Sequence, residues 1–536
     1  MNWKQISRWP CLLALVLAMC TSISAVAIED DSKEKTPPNI LIILADDLGF
    51  SDLGCYGGEI ETPNLDQIAK HGLRYNQFYN TGRCWPTRAS IMSGYYPHQV
   101  YRDRLPGNNK GGAGGKRPAW AKLLPQRLPN HKAYHSGKWH IDGGPVANGF
   151  HQSFWMRDHG RFFHPRNTKL NDVDQPPVAP GTDYYVTSAI AEHAIDCLSE
   201  HAQQNSNQPF LSFVAFTAPH FPLHALPEDI AKYEGKYDQG WEAIRAERWQ
   251  KQQALGLIRG KLSAPERKLG PPYDFPDHLK QLGPDEVNLP HIWSELTESQ
   301  KVFQANKMEI HAAMVDRMDQ EIGRIFQQLK AMDAWDNTLI FFLSDNGASA
   351  EIMVRSDGHD PNASPGSAAT HLCLGPGWST ACNTPFRKHK TWVHEGGIAT
   401  PLIVHWPEGI AHKNRIRQSP GHVIDFVPTI LELSGQSVET DGPNFPGQSL
   451  VTTFTEDATD DRDEFFWHHD GHSGIRSDQF KLVRSKGGPW ELYNLHKDRT
   501  ETDDLAARQP ERVNELSKQW EALVQQFKEQ RDKKMP

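Results

Sequence analysis

Asn39-Ile40-Leu41-Ile42-Ile43-Leu44-Ala45 is an unbroken apolar run that stops abruptly at Asp46-Asp47. A β-rich run of this length, with no alternation, reads as a strand buried on both faces. The pattern returns at residues 209–216, which end in Thr217-Ala218-Pro219-His220, and at residues 338–343, which end in Ser344-Asp345-Asn346-Gly347. A fourth run, residues 401–406, precedes a proline turn. Helical spacing fills the intervals at residues 186–200 and 302–332, the second with Met314, Met318, Ile322, Ile325 and Leu329 in register. Strands alternating with helices predict an α/β domain on a large, mostly parallel sheet. Ligands of such sheets bind beyond the carboxyl ends of the strands. Three of the runs end there in Asp, Asn or His.

From about Phe445 the pattern changes. Short runs at 464–467, 474–476, 480–484 and 491–495 predict antiparallel strands, and residues 510–529 a closing helix. The expected organisation is an α/β domain over 39–444 and a small α+β domain over 445–536. At the start, Lys4 and Arg8 precede a short apolar run (12–19) and the small-residue site Ala25-Val26-Ala27. Residues 1–27 read as a signal peptide, followed by a charged linker over 28–38. The apolar run is too short to span a bilayer and nothing later approaches that length. The chain is expected to be exported, periplasmic or secreted, with no stable membrane span.

Lys and Arg number 57 against 66 Asp and Glu, a formal charge of −9 that is not confined to one block. That argues against a nucleic-acid partner, which leaves a basic footprint. Of seven cysteines, Cys11 and Cys20 lie in the signal. The odd set that remains, Cys55, Cys84, Cys197, Cys373 and Cys382, flags a reactive thiol. The short spacing of Cys373 and Cys382 suggests a disulfide.

Asp46-Asp47 and Asp345-Asn346 offer four oxygen-bearing side chains at two strand ends, a set suited to a hard cation, Ca²⁺ more than Mg²⁺. The absence of His and Cys argues against zinc. Either pair alone would read as a turn. In Cys84-Trp85-Pro86-Thr87-Arg88-Ala89-Ser90-Ile91-Met92-Ser93-Gly94, Pro86 fits the first turn of a helix and Gly94 its end. Cys84 then stands at a helix N-terminus, which favours an anion. On residues alone it is an activated cysteine or a buried inert one. His468-His469-Asp470-Gly471-His472 reads first as an exposed loop, then as a substrate contact, and last as a metal cluster.

Cys-x-Pro-x-Arg followed by the Ser90-Ile91-Met92-Ser93-Gly94 run resembles the signature of type I sulfatases, members of the alkaline phosphatase superfamily. The resemblance extends over nearly the whole chain after the signal and implies an alkaline phosphatase-like fold. It implies that Cys84 is oxidised by a formylglycine-generating maturation enzyme to formylglycine, whose hydrate is the nucleophile. Asp46, Asp47, Asp345 and Asn346 match the family's metal ligands, with residue 84 beside them, and Arg88 matches the arginine that steadies the formylglycine. Lys138 and His140, in Gly137-Lys138-Trp139-His140, match the pair facing the sulfate and the aldehyde hydrate. His220 matches the histidine beside the leaving oxygen. Lys390, shortly before Glu395-Gly396-Gly397, matches the second sulfate-binding lysine. His394 and His468 are weaker candidates for the substrate pocket. Tyr233 to Leu257 also resembles the bacterial arylsulfatase branch, which has a similar Lys-Tyr-x-Gly-x-Tyr-Asp stretch.

The implied activity is hydrolysis of a sulfated carbohydrate or an aryl or alkyl sulfate. Two alternatives stand beside it. One is a phosphodiester or phosphonate monoester hydrolase on the same fold. The other is a catalytically silent relative that binds sulfated glycans.

Overall fold

The computed structural model describes residues 36–355, 357–457, 462 and 464–532. The signal peptide and most of the linker expected before them lie outside the described residues. Among the described residues, strands β1 (Asn39–Ala45), β2 (Leu73–Tyr79), β3 (Lys132–Gly137), β4 (Gln152–Met156), β5 (Thr168–Leu170), β6 (Val173–Asp174), β7 (Phe210–Ala215), β8 (Thr338–Ser344), β9 (Ala399–His405), β10 (Arg415–Arg417) and β11 (Gly421–His422) form one sheet. β1 lies at its centre, parallel to β7 on one side and β8 on the other. β3 continues parallel beyond β7, and β4 beyond β3.

The unalternating run of β1 is explained by what lies on each side of it. Leu41, Ile43 and Ala45 enter one core with Met314, Met318, Ile322 and Ile325 of the long Glu298–Ala331 helix. Ile40, Ile42 and Leu44 enter a second core with Ile91, Met92, Phe426 and Ile430. The period of two along a strand divides one apolar run between two layers. The result is a mixed, mostly parallel sheet between helices, as expected.

The fourth apolar run differs in direction. β9 is antiparallel to both β8 and β2. Pro401, which has no N–H to give a ladder, sits where the β2 register shifts between Tyr75 and Phe78. Beside it Thr400 Oγ1 accepts from Ser344 N at 2.8 Å and donates to Ser344 O at 3.1 Å. Because β9 reverses and β2 reverses again, β2 runs with β1. The carboxyl ends of β1, β2, β3, β7 and β8 therefore share one edge, and β9 begins there.

β12 (Phe465–His469), β13 (His472–Ser477), β14 (Phe480–Arg484) and β15 (Glu491–Asn494) form an antiparallel meander. The Pro510–Asp532 helix covers it, with Trp520 stacked on Phe466 at 5.7 Å. The sheet is tied to the larger one through buried charge. Lys481 Nζ donates to Glu395 and Glu501, each at 2.8 Å, and Arg499 pairs with Glu395 at 2.7 Å. Lys481→Met is expected to cost about 3–5 kcal/mol, because it strands buried carboxylates. Urea denaturation of the variant checks this.

Two expectations need correction. Residues 468–472 are not an exposed loop. His468 and His469 end β12, His472 begins β13, and all three are buried. Only Asp470 and Gly471 turn, with φ of 46° and 88°. Nor are Cys373 and Cys382 bonded, for all five described cysteines are free. Cys382 ends the Gly375–Cys382 helix, which Cys373 precedes. Cys373 Sγ donates to Met353 O at 3.4 Å, while Cys382 Sγ lies 3.9 Å from Met308 Sδ. No described helix is long and apolar enough to cross a membrane.

Candidate active site

Cys84 opens the Cys84–Ser93 helix, directly beyond the end of β2. Arg83 before it is extended (φ −153°, ψ 152°), and Gly94 closes the helix at φ 77° with its N–H on Ser90 O. Arg88, one turn on, is wholly buried and points back toward β1 and β8. Its Nε and Nη2 reach Asp345 Oδ2 at 2.9 and 2.8 Å, and Nη1 donates to Lys138 O at 2.7 Å. One guanidinium thus locks the Cys84 helix to the ends of β8 and β3.

Cys84 is buried, with Sγ 3.4 Å from His140 Nδ1. Burial raises the thiol pKa; Lys138 and Lys390 oppose this, and Asp345 and Asp46 add to it. Burial thus outweighs the pull of the helix terminus and the lysines on the thiol. As encoded, the side chain is a neutral thiol among charged groups.

Those groups converge from every strand end on this edge. Asp46, Asp47, Asp345 and Asn346 are all buried. Oxygens of Asp46 and Asp345 and the Cys84 sulfur lie within 4.8 Å of one another, as do ligand atoms of Asp46, Asp47 and His220. Asn346 Nδ2 donates to Asp47 Oδ1 at 2.7 Å, while Asp46 Oδ1 and Asn346 Oδ1 have no hydrogen-bond partner in the protein. Burial raises the pKa of both Asp46 and Asp47 against the pull of nearby lysines. Buried, crowded carboxylates with orphaned oxygens fit a hard cation held by oxygen. Lys138 Nζ reaches Asp46 at 2.5 Å and Lys390 Nζ reaches Asp47 at 2.8 Å, so both lysines border this cluster.

His220 follows β7. Its Nδ1–H donates to Phe221 O at 2.5 Å, which leaves Nε2 facing Asp47 Oδ2 at 3.8 Å. Burial, then Lys390 and Lys138, hold its pKa well below the ordinary value. His140 is depressed in the same way by burial, Lys138 and Arg88. Both rings are neutral in the free site. Asp47 and His140 adopt φ of 67° and 55°, a left-handed backbone that non-glycine residues take only when their surroundings hold it.

Of the two weaker candidates, His394 is the N-terminal flank of the Glu395–Ile398 helix. It is fully buried, with Nε2 3.3 Å from Glu491 of β15, and serves the junction with the smaller sheet. His468 lines a cavity beside Trp85, although its Nδ1 is paired with Ser473 Oγ at 3.2 Å. The sequence reading missed Glu351, which holds Lys390 and Arg83, each at 3.0 Å. It also missed His159, whose ring stands 5.4 Å from His140 and 5.6 Å from His220. Both sit on irregular segments, where no periodicity marks them.

Comparison with known proteins bears on the family and the fold. The family model described as Sulfatase matches residues 38–436, and one described as N-sulphoglucosamine sulphohydrolase, C-terminal, matches residues 387–530. An uncharacterized sulfatase of Schizosaccharomyces pombe is 32% identical, covering 91% of this chain and 93% of its own. An arylsulfatase of Klebsiella aerogenes is 28% identical over 78% of this chain and 91% of its own. The crystal structure of Ps i-CgsB superposes with a TM-score of 0.65 at 23% identity, covering 93% of this chain and 94% of that one, and so shares the fold. The chain belongs to the sulfatase family.

Proposed function

We propose that this protein hydrolyses sulfate esters by S–O cleavage, releasing inorganic sulfate, with residue 84 acting as formylglycine. The observation that carries the reading is the convergence at one strand edge. Cys84, Arg88, two lysines, two histidines and four oxygen ligands meet there around a single buried point. Asp46, Asp47, Asp345 and Asn346 hold Ca²⁺, together with an oxygen of the matured residue 84. The cation supplies Lewis acidity toward the ester oxygens. The hydrated aldehyde supplies two hydroxyls, one to attack sulfur and one whose deprotonation frees the sulfate.

The remaining work falls to the chain's own side chains. Lys138 and Lys390 neutralise the nonbridging sulfate oxygens as charge shifts among them. Arg88 fixes residue 84 relative to the ligand carboxylates. His140 Nδ1, already 3.4 Å from the residue 84 side chain, takes the proton there. His220, oriented by Phe221 O, gives a proton from Nε2 to the departing alcohol. Burial first, then the two lysines, oppose protonation of this ring in the free site, and the negative charge of a bound sulfate ester offsets the lysines' share. Export belongs to the same reading, through residues 1–27, as does maturation by a formylglycine-generating enzyme.

Assay of an aryl sulfate beside an aryl phosphodiester tests the reading. Preference for the sulfate is expected, and preference for the phosphodiester would transfer the site to the rival chemistry. His220→Asn is expected to lose about 10²–10⁴-fold on alkyl sulfates, whose leaving groups need a proton, and far less on 4-nitrophenyl sulfate. Equal losses on both would remove His220 from the acid role.

A further inference from the structure

A cavity of about 530 Å³ lies beside the Cys84 helix and has no part in the chemistry above. Trp85, next to the nucleophile in sequence, lines it together with Asp103, Tyr273, His469 and Lys486. The Trp85 indole is held on several sides. The Arg83 guanidinium lies 5.3 Å from its centroid and 5.5 Å from that of Tyr273. Arg83 is itself fixed by Glu351 at 3.0 Å and Thr391 at 2.8 Å. His140 and His469 meet the indole edge-to-face at 5.7 and 5.4 Å.

His469 is 3% exposed, and its orientation is set by Asp103, whose Oδ2 lies 2.7 Å from Nδ1. The same carboxylate group accepts the Arg104 N–H at 2.8 Å. A carboxylate only accepts, so Nδ1 carries a proton, and with one proton on the ring Nε2 is an acceptor. Neither that Nε2 nor the Trp85 Nε1–H has a hydrogen-bond partner in the protein, and both atoms are buried. Buried polar atoms in folded proteins are nearly always paired. Here an unpaired donor and an unpaired acceptor belong to two rings whose centroids are 5.4 Å apart and whose residues both line one cavity.

The smallest group that answers both is a hydroxyl, which accepts from one partner and donates to the other. We infer that Trp85 and His469 bind a free hydroxyl of the substrate on a carbon near the sulfated one, with Asp103 fixing the His469 tautomer. The preferred substrate is then a sulfated sugar and not a flat aryl sulfate. This rests on the sulfatase reading and adds the specificity to it.

The test uses matured protein with 4-nitrophenyl sulfate, the O-sulfates of galactose and glucose, and those of their N-acetylamino counterparts. For the best sugar sulfate, analogues lacking one neighbouring hydroxyl each are then compared. One deoxy analogue is expected to lose about ten- to a hundredfold in kcat/KM, because the site's polar atoms are left unpaired. In His469→Phe and Trp85→Phe, which keep aromatic packing, that ratio is expected to shrink below about threefold. The substrate-side comparison in the unmodified sequence stands even where a variant folds poorly. Turnover of the aryl sulfate with no sugar sulfate accepted would overturn the inference and leave the sulfatase reading intact. So would equal rates on every deoxy analogue, or full discrimination kept by both variants. Failure to release sulfate from any ester would overturn both together.

Discussion

Cys84→Ala is expected to lower sulfate release by about 10⁴-fold or more while the fold survives. The magnitude follows from removing a nucleophile from a set that acts as a unit, where one deletion costs nearly as much as several. The structural cost is small by comparison. Cys84 packs at the start of a helix that Arg88 locks in place and Gly94 closes. Losing one buried sulfur costs about 1 kcal/mol. Circular dichroism and the melting temperature should stay near those of the unmodified sequence. Comparable activity in the alanine variant would sink the proposal that residue 84 attacks sulfur.

Loss of the cation has the second largest expected effect. Chelation, or Asp47→Ala, should reduce turnover by about 10²–10⁴-fold, since a Lewis acid supplies several kcal/mol to charge development. Stability provides a readout separate from activity. At a hundred times its Kd, Ca²⁺ should add about 2.7 kcal/mol to the folded state, and Asp47→Ala should lose most of that increment. The sign with pH is also set. Burial raises the folded pKa of Asp46 and Asp47 above their unfolded values. The chelated protein therefore carries a penalty at neutral pH that shrinks as pH falls through those raised values. Ca²⁺ should remove that dependence. A melting temperature indifferent to Ca²⁺ in both proteins would contradict the assignment of these four residues.

In the larger sheet the strands that could be read from sequence, β1, β7, β8 and β9, are those buried on both faces mostly by apolar side chains. β2 and β3 escaped because each carries polar residues into the interior. Arg74 and Asn76 of β2 donate to Cys55 O and Leu257 O, and Ser136 of β3 pairs with His193. Partners that distant in sequence leave no periodic trace. Yet these two strands deliver Cys84, Lys138 and His140. Their roles were legible only through the motifs that follow the strands. The error at residues 468–472 is of another kind. Asp470-Gly471 is a two-residue hairpin turn of a familiar composition, and the surrounding histidines drew the reading toward a loop. The dyad of His469 and Asp103 joins residues 366 apart, so only the fold brings it together.

The most direct test is a mass spectrum of the tryptic peptide 84–88 from protein produced with a formylglycine-generating enzyme and shown to release sulfate. The account predicts a residue 84 that has exchanged its thiol for an aldehyde and is captured by a hydrazine probe. An intact thiol in protein that still turns over sulfate esters would contradict it.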